Sequence, residues 1–537
     1  MATSTSELYE LFRAHPHVST DTRKLEPGAI FFALRGERFD GNRFIPDALA
    51  KGAVAAVSDD AAIAASDARI LLVDDTLTAL QELAREHRRA LGIPILAISG
   101  SSGKTTTKEL VSRVLAERFE VYATHGNLNN HIGVPLTLLA MTPETEFGIV
   151  EMGASACGEI ARLAEIAEPD YGLLTNIGRA HLEGFGGPEG VLRGKGELFD
   201  FLAVHGGRAF VRADDDTLAT MAAEREPLAV EYYPSSLADG IENRLEGGYN
   251  RFNIAAAVAI GRYFEVPDDA IRRAVASYTP DNFRSQRIVT PHNTVIADCY
   301  NANPTSMRAA LENIASEPLD EQQHRVLILG DMLELGDWSQ SEHETVIEQA
   351  ARIPGAELIL VGGEFAAAYA ALADKPARTM LCPSQEELRH QLQIETELPG
   401  KALRNRPVQI NSQYQIVLFP FHLDSIAESK IRIEHRIEPR HMLGRVRIAQ
   451  CDTDFVGSLI HHPFPHLGQS LPLPLRNLET HITACGPAVS IQNQGDTPLV
   501  SFRIDITENH HIGPVVFKIP RRVNLEVLGL QTCTKHQ

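Results

Sequence analysis

The chain has 537 residues, 44% hydrophobic and 22% charged, which is ordinary globular usage and excludes a wholly disordered polymer. That length is room for roughly three or four domains. A formal net charge of −20 excludes a nonspecific nucleic-acid coat and argues against docking on anionic lipid.

Residues 1–83 read as a small α/β domain. A helical pattern at Leu8, Leu11 and Phe12 is followed by a strand at Ala29–Leu34, a loop from Gly36 to Gly41, and further strands at Ala53–Ser58 and Ile70–Val73. Residues 75–91 look helical and lead to Pro94. From 84 to 278, strand and helix alternate. Ile95–Ile98 is the continuous apolar run of a strand buried on both faces, and apolar residues at 110, 111, 114 and 115 make a helical stripe. Later strands end in polar residues at Glu151 and Asn176. This is the pattern of a parallel sheet covered by helices. A second such series occupies 279–403, with strands at Val295–Asp298, Val326–Leu329 and Leu358–Val361.

Beyond Leu403 the regularity stops. From Lys401 onward there are 15 Lys and Arg against 11 Asp and Glu, whereas the first 400 residues carry 35 against 59. Ten of the 21 histidines also fall there, while alanine becomes scarce. So sharp a break marks a boundary, and residues 404–537 are expected to be a frameshifted, fused or wrongly predicted extension. The alternative is an accessory β-rich domain, suggested by Leu499–Ile504 and Val515–Ile519. No run of about 18 apolar residues occurs, so no membrane insertion is expected. The opening MATSTSELYELFRAHP has no basic stretch followed by an apolar one, and the six cysteines form no CxxC pair. A cytoplasmic, monomeric protein is expected.

The chemistry is concentrated after the strand at 95–98. Gly100-Ser101-Ser102-Gly103-Lys104-Thr105-Thr106 leaves that strand and opens a helix. Such glycines let backbone amides converge on phosphate at a positive helix N-terminus, with Lys104 neutralising the outer phosphates and Thr105 offering a hydroxyl to Mg²⁺. The loop is shorter than the GxxxxGK[ST] of kinases and GTPases, which disfavours those classes.

A set of segments then resembles the Mur ligase family. These are GSSGKTTTKE at 100–109, GNLNN at 126–130, VEMGAS at 150–155, TNIGRAH at 175–181, KGELF at 195–199, GGYNRFN at 247–253, DCYNANPTSM at 298–307 and LGDMLELG at 329–336. The likeness covers roughly residues 5–402. It implies three domains: a uridine-nucleotide-binding domain, a P-loop-type ATPase domain and a Rossmann-like domain closing over the cleft.

The implied reaction is ATP-dependent joining of D-alanyl-D-alanine to UDP-N-acetylmuramoyl-tripeptide through an acyl phosphate, with no nucleic-acid partner. By resemblance, two Mg²⁺ are held by Thr105, Glu151, His181 and a carbamylated Lys195, with Lys104 completing the catalytic set. Asn250, Asn253, Arg287, Asp298, Tyr300 and Asn301 are expected to contact nucleotide, with Arg284 as a further arginine that closes on phosphate. At i, i+3 spacing the two asparagines also suit a plain helix start.

Ser19, Asp21, Arg23 and Gly36 resemble the uridine pocket, although polar turns explain them equally well. Asn127, Asn129 and Asn303 are expected near substrate. Asp331 and Glu334 are expected to meet the dipeptide ammonium or else to cap helices.

Three features depart from the family. His131 stands where the family usually has an acid, the 216–248 connection is short, and the usual final strand and lysine loop are not recognisable. Two alternatives follow: another Mur or folylpolyglutamate-type amide ligase, or a catalytically impaired scaffold with an unfinished third domain.

Overall fold

The computed structural model describes residues 2–36, 39–280, 286–289, 293–298, 301–318, 324–388, 414–418, 488–494, 497–504 and 515–520. Two compact units divide at 427/428. Among the described residues, no helix is long and apolar enough to cross a membrane.

The N-terminal domain has a four-stranded parallel sheet in the order Val18–Ser19, Ile30–Phe32, Ala55–Ser58, Ile70–Leu72. The helix Thr5–Ala14 begins with a Ser4/Glu7 capping box, which satisfies amides a helix start leaves open. The boundary expected at 83 falls inside the helix Thr76–Leu91, capped by the Asp75 side chain and ended by left-handed Gly92. Its buried Leu80 and Leu83 belong to a core shared with Leu138 and Met152 of the central domain. Those packing contacts join this spacer helix to the central domain.

The central sheet has six strands, all parallel, in the order Ala229–Tyr233, Arg208–Arg212, Tyr171–Leu174, Ile95–Ser99, Phe147–Glu151, Val121–Ala123. The short 216–248 connection therefore still holds a helix, Asp216–Ala223, and the edge strand. Alternation along Ile95–Ser99 serves both faces. Leu96 and Ile98 pack with the helices Lys104–Leu115 and Asn250–Tyr263, while Ile95 and Ala97 pack with Glu159–Ala167 and Pro188–His205. Strand ends and helix starts thus meet along one edge, where open parallel sheets bind ligands.

The third sheet also has six strands, in the order Gln286–Val289, Asn293–Ala297, Tyr414–Leu418, His324–Gly330, Ala356–Val361, Thr379–Cys382. Only the first pair is antiparallel. Here the structure differs from the boundary expected at 403. Tyr414–Leu418 is hydrogen-bonded parallel to both Asn293–Ala297 and His324–Gly330, so the sheet is continuous through it. Five residues are enough for such a strand, and no periodicity distinguishes so short an apolar run in sequence.

In the second unit, Ala488–Gln494, Thr497–Ile504 and Val515–Pro520 form a three-stranded antiparallel sheet.

Candidate active site

Sheet edge and third-domain loops enclose a cleft of about 830 Å³. Its floor is the loop between strand Ile95–Ser99 and helix Lys104–Leu115. Gly100 has φ +134°, and a Cβ there would lie 2.0 Å from Thr175 Oγ1; one at Gly103, φ +81°, would lie 2.7 Å from Asn253 Oδ1. Only glycine fits so close an approach on left-handed backbone.

The loop is braced from the neighbouring strand. Thr175 Oγ1 donates to the Ser102 carbonyl at 2.6 Å, and Asn176 exchanges two hydrogen bonds with Ser102 at 3.0 and 3.2 Å. Lys104 Nζ lies back over the loop, donating to the Gly100 carbonyl at 2.8 Å. Ser101, Ser102, Thr105 and Thr106 line the cleft beside it. Helix N-terminal amides and this ammonium supply the donors and positive charge that a bound phosphate would require.

Glu151 ends strand Phe147–Glu151 and is 2% exposed. Its amide donates to Thr124 Oγ1, and its Oε1 accepts from Asn129 Nδ2 at 2.8 Å. Oε2 is buried with no partner. A buried, unpaired carboxylate oxygen on a residue that lines the same cleft as Thr105 fits a hard cation such as Mg²⁺. Among the described residues, no group of three or more His, Cys, Asp or Glu is poised to hold a metal. Thr105 and Glu151 would therefore need phosphate oxygens to complete a shell.

Lys195, on helix Pro188–His205, is 1% exposed and donates to the Ala154 carbonyl at 3.0 Å. Its ammonium lies 5.1 Å from the centre of the Phe185 ring. Burial, and then the nearby Lys104 charge, push its pKa down to about 7 against the opposing pull of Glu159 and Glu197. As an ammonium it repels a cation; as a carbamate it would be a ligand. His181 lines the cleft on left-handed backbone, φ +55°, and its Nδ1 is hydrogen-bonded to the Glu334 carboxylate. Glu334 is also left-handed, φ +59°, and such non-glycine residues cost about 1–3 kcal/mol each.

Asn250 and Asn253 open helix Asn250–Tyr263 without acting as its cap. Asn253 donates to Asn250 Oδ1 at 2.7 Å and accepts from Thr107 Oγ1 at 3.1 Å, which ties this helix to the phosphate loop's helix. From the third domain come Asp298, Asn301 and Asn303, all lining the cleft. Asn303 caps helix Pro304–Ser316 and also donates to Ser102 Oγ at 3.3 Å, so the third domain touches the phosphate loop directly.

Other expected residues are not gathered here. Arg287 is paired with Glu246 at 2.6 Å and with Glu317, which neutralises its charge, and it does not line the cleft. Asp331 accepts from the amides of Glu364 and Phe365 at 3.1 and 2.9 Å, capping helix Gly363–Ala371. Ser19, Asp21, Arg23 and Gly36 do not line this cleft; Arg23 is bound to Asp21 at 2.8 Å within an Asx-type turn. Asn127 is exposed and outside the lining. Tyr300 and Arg284 lie outside the described residues.

Thr175, Asn176, Thr305 and Arg212, to which the sequence alone assigns no site role, also line the cleft. Polar residues just past an apolar strand end were the available signal for the first two. His131 lines the cleft too, its carbonyl accepting from Gln81 Nε2 of the spacer helix at 2.9 Å.

Family models match along the chain: "Mur ligase family, catalytic domain" at 16–88, "Mur ligase middle domain" at 98–258 and "Mur ligase, glutamate ligase domain" at 283–397. The UDP-N-acetylmuramoyl-tripeptide–D-alanyl-D-alanine ligase of Bacillus subtilis is 38% identical over 350 residues, covering 61% of this chain and 76% of the relative. The Escherichia coli ligase of the same name is 37% identical over 377 residues, covering 65% and 81%. The crystal structure of MurF from Acinetobacter baumannii superposes with a TM-score of 0.64 at 28% identity, covering 78% of this chain and 96% of that one.

Proposed function

The chain belongs to the Mur ligase family, and from that premise we infer that it joins D-alanyl-D-alanine to UDP-N-acetylmuramoyl-tripeptide at the expense of ATP. The observation that carries this is a single cleft in which the phosphate loop of the central domain meets third-domain loops across the Asn303–Ser102 contact. A carboxylate oxygen of the tripeptide attacks the γ-phosphorus and ADP leaves. The dipeptide amine then attacks the acyl carbon, losing a proton as phosphate departs. Lys104 and the helix N-terminus hold the phosphates where two anions must meet. Thr105 and Glu151 would hold Mg²⁺, which supplies charge neutralisation between them. Burial between domains keeps water from the acyl phosphate.

Lys195 and His181 are the proposed holders of a second Mg²⁺. A lysine with its pKa near 7 keeps a large neutral fraction, whose lone pair attacks CO₂ and, on losing a proton, becomes a carbamate. Short-chain carboxylates restoring activity to Lys195→Ala would support this; full activity in that variant without them would overturn it. The impaired-scaffold alternative rested on an unfinished third sheet, and strand Tyr414–Leu418 removes that ground. We read the ligase as a cytoplasmic monomer. Composition places the extension from residue 404, but Tyr414–Leu418 pairs within the third sheet, so we propose that only the second unit, from Glu428, with 12 Lys and Arg against 10 Asp and Glu, is foreign to the ligase. A protease-resistant, full-length product made from the native gene would count against that.

The test of function is phosphate release with a panel of amines. Release is expected with D-alanyl-D-alanine and the tripeptide nucleotide together. Turnover with a single amino acid and a shorter nucleotide would favour a different amide ligase.

A further inference from the structure

Glu334 is a candidate for the incoming ammonium, yet its carboxylate is already engaged by a central-domain side chain, His181 Nδ1. The contact sits in a continuous seam. The Glu183 amide donates to the Glu334 carbonyl at 3.1 Å. A Cβ on Gly336 would be 3.2 Å from Glu183 Cβ, and one on Gly187 would be 3.1 Å from the Trp338 ring. Leu182, Phe185 and Val191 of the central domain are buried in the third domain's core with Met332 and Leu335. Both ends of the contact use left-handed backbone, a conformation that surrounding packing must hold.

We propose that Glu334 is a positioning residue which the third domain supplies to the central domain. It holds the His181 ring through Nδ1, leaving Nε2 as the nitrogen available to the cleft, so His181 becomes competent only when the two domains are closed. A carboxylate on one ring nitrogen fixes the tautomer and orientation of an imidazole that acts through the other. This deepens the ligase assignment and rests on it for the use of that second nitrogen. His181 engages one oxygen, Oε2, so a dipeptide ammonium at this carboxylate would share it with His181.

The test uses the full chain with Glu334→Ala, Glu334→Gln and Glu334→Asp. Three quantities are read: Mn²⁺ binding with ADP present, followed by electron paramagnetic resonance; emission of Trp338, the sole tryptophan; and the split between kcat and KM. Glu334→Ala is expected to weaken Mn²⁺ binding roughly 10- to 100-fold. It should also lower kcat, shift the tryptophan emission, and leave KM for the dipeptide within about twofold. Gln still accepts from Nδ1–H and should recover most of the Mn²⁺ affinity. Should the Ala variant not fold, Asp gives the same reading, with a carboxylate one methylene short and intermediate Mn²⁺ binding. Unchanged Mn²⁺ affinity in the folded variants overturns the proposal, above all with a dipeptide KM raised about tenfold, which would make Glu334 the ammonium site. Wild-type turnover that ignores the dipeptide would instead overturn the ligase assignment, while the Mn²⁺ comparison would still decide the role of Glu334.

Discussion

The two six-stranded sheets differ in where their strands come from. All six strands of the central sheet lie between Ile95 and Tyr233, separated by helices that cover its two faces. The third sheet takes a middle strand, Tyr414–Leu418, from beyond its edge strand Thr379–Cys382 and seats it between Asn293–Ala297 and His324–Gly330. Parallel pairing requires long crossovers, so order in a sheet is uncoupled from order in the chain. A strand that arrives last can therefore be the one that both halves of a sheet depend on.

The strongest way to break this comparison is truncation. Ending the chain after residue 403 removes the middle strand and should abolish ligation and the third domain's resistance to limited proteolysis. Ending it after Ala427 should preserve both. Activity and protease resistance in both truncations would mean that the strand is dispensable, and loss of both in each would mean that the second unit is required.

On the central side, single side chains should matter more than the sheet's ending. Lys104→Ala, and separately Glu151→Gln, should each lower kcat/KM by about 10²–10³-fold with little change in melting temperature. Steady-state phosphate release checks this. Asn253→Ala leaves Thr107 and Asn250 short of a partner in a buried junction, which should cost about 1–3 kcal/mol in denaturant unfolding.

A smaller effect should sharpen the picture of the third domain. Burial holds the His343 imidazole below its ordinary value, outweighing the Ser339 carbonyl and the nearby Asp331, Glu364 and Glu342 carboxylates. The unfolded chain therefore takes up the proton first, and stability present at neutral pH is lost as pH falls below about 6.5. His343 Nε2 accepts from the Met332 amide at 3.0 Å, so the loss should appear first around the loop carrying Glu334. Amide hydrogen exchange at pH 7 and 5.5 measures it. The least effect is expected from Arg23→Ala, whose solvent-exposed pairing with Asp21 should leave the melting temperature unchanged. A raised KM for the uridine nucleotide in that variant would show the turn to be a substrate contact.

Much of this was legible in sequence because local chemistry and global role coincide. The phosphate loop needs its glycines where Thr175 and Asn253 approach, and Glu151 needs an apolar strand to carry it into a dry position. Residue types alone left the partners of long side chains undetermined. Arg287 and Asp331 carry the charge suited to ligand binding, yet one is neutralised by Glu246 and Glu317 and the other by two helix amides. Those contacts come from segments 30 to 41 residues away, beyond the reach of any local pattern. The Glu334–His181 contact, 153 residues apart, was hidden for the same reason.

The central claim is that a carboxylate is activated by phosphorylation before an amine takes it. UDP-N-acetylmuramoyl-tripeptide labelled with oxygen-18 in its terminal carboxylate tests this most directly, by mass spectrometry of the phosphate released during ligation. One labelled oxygen should appear in each phosphate formed. Amide product accompanied by unlabelled phosphate would contradict it.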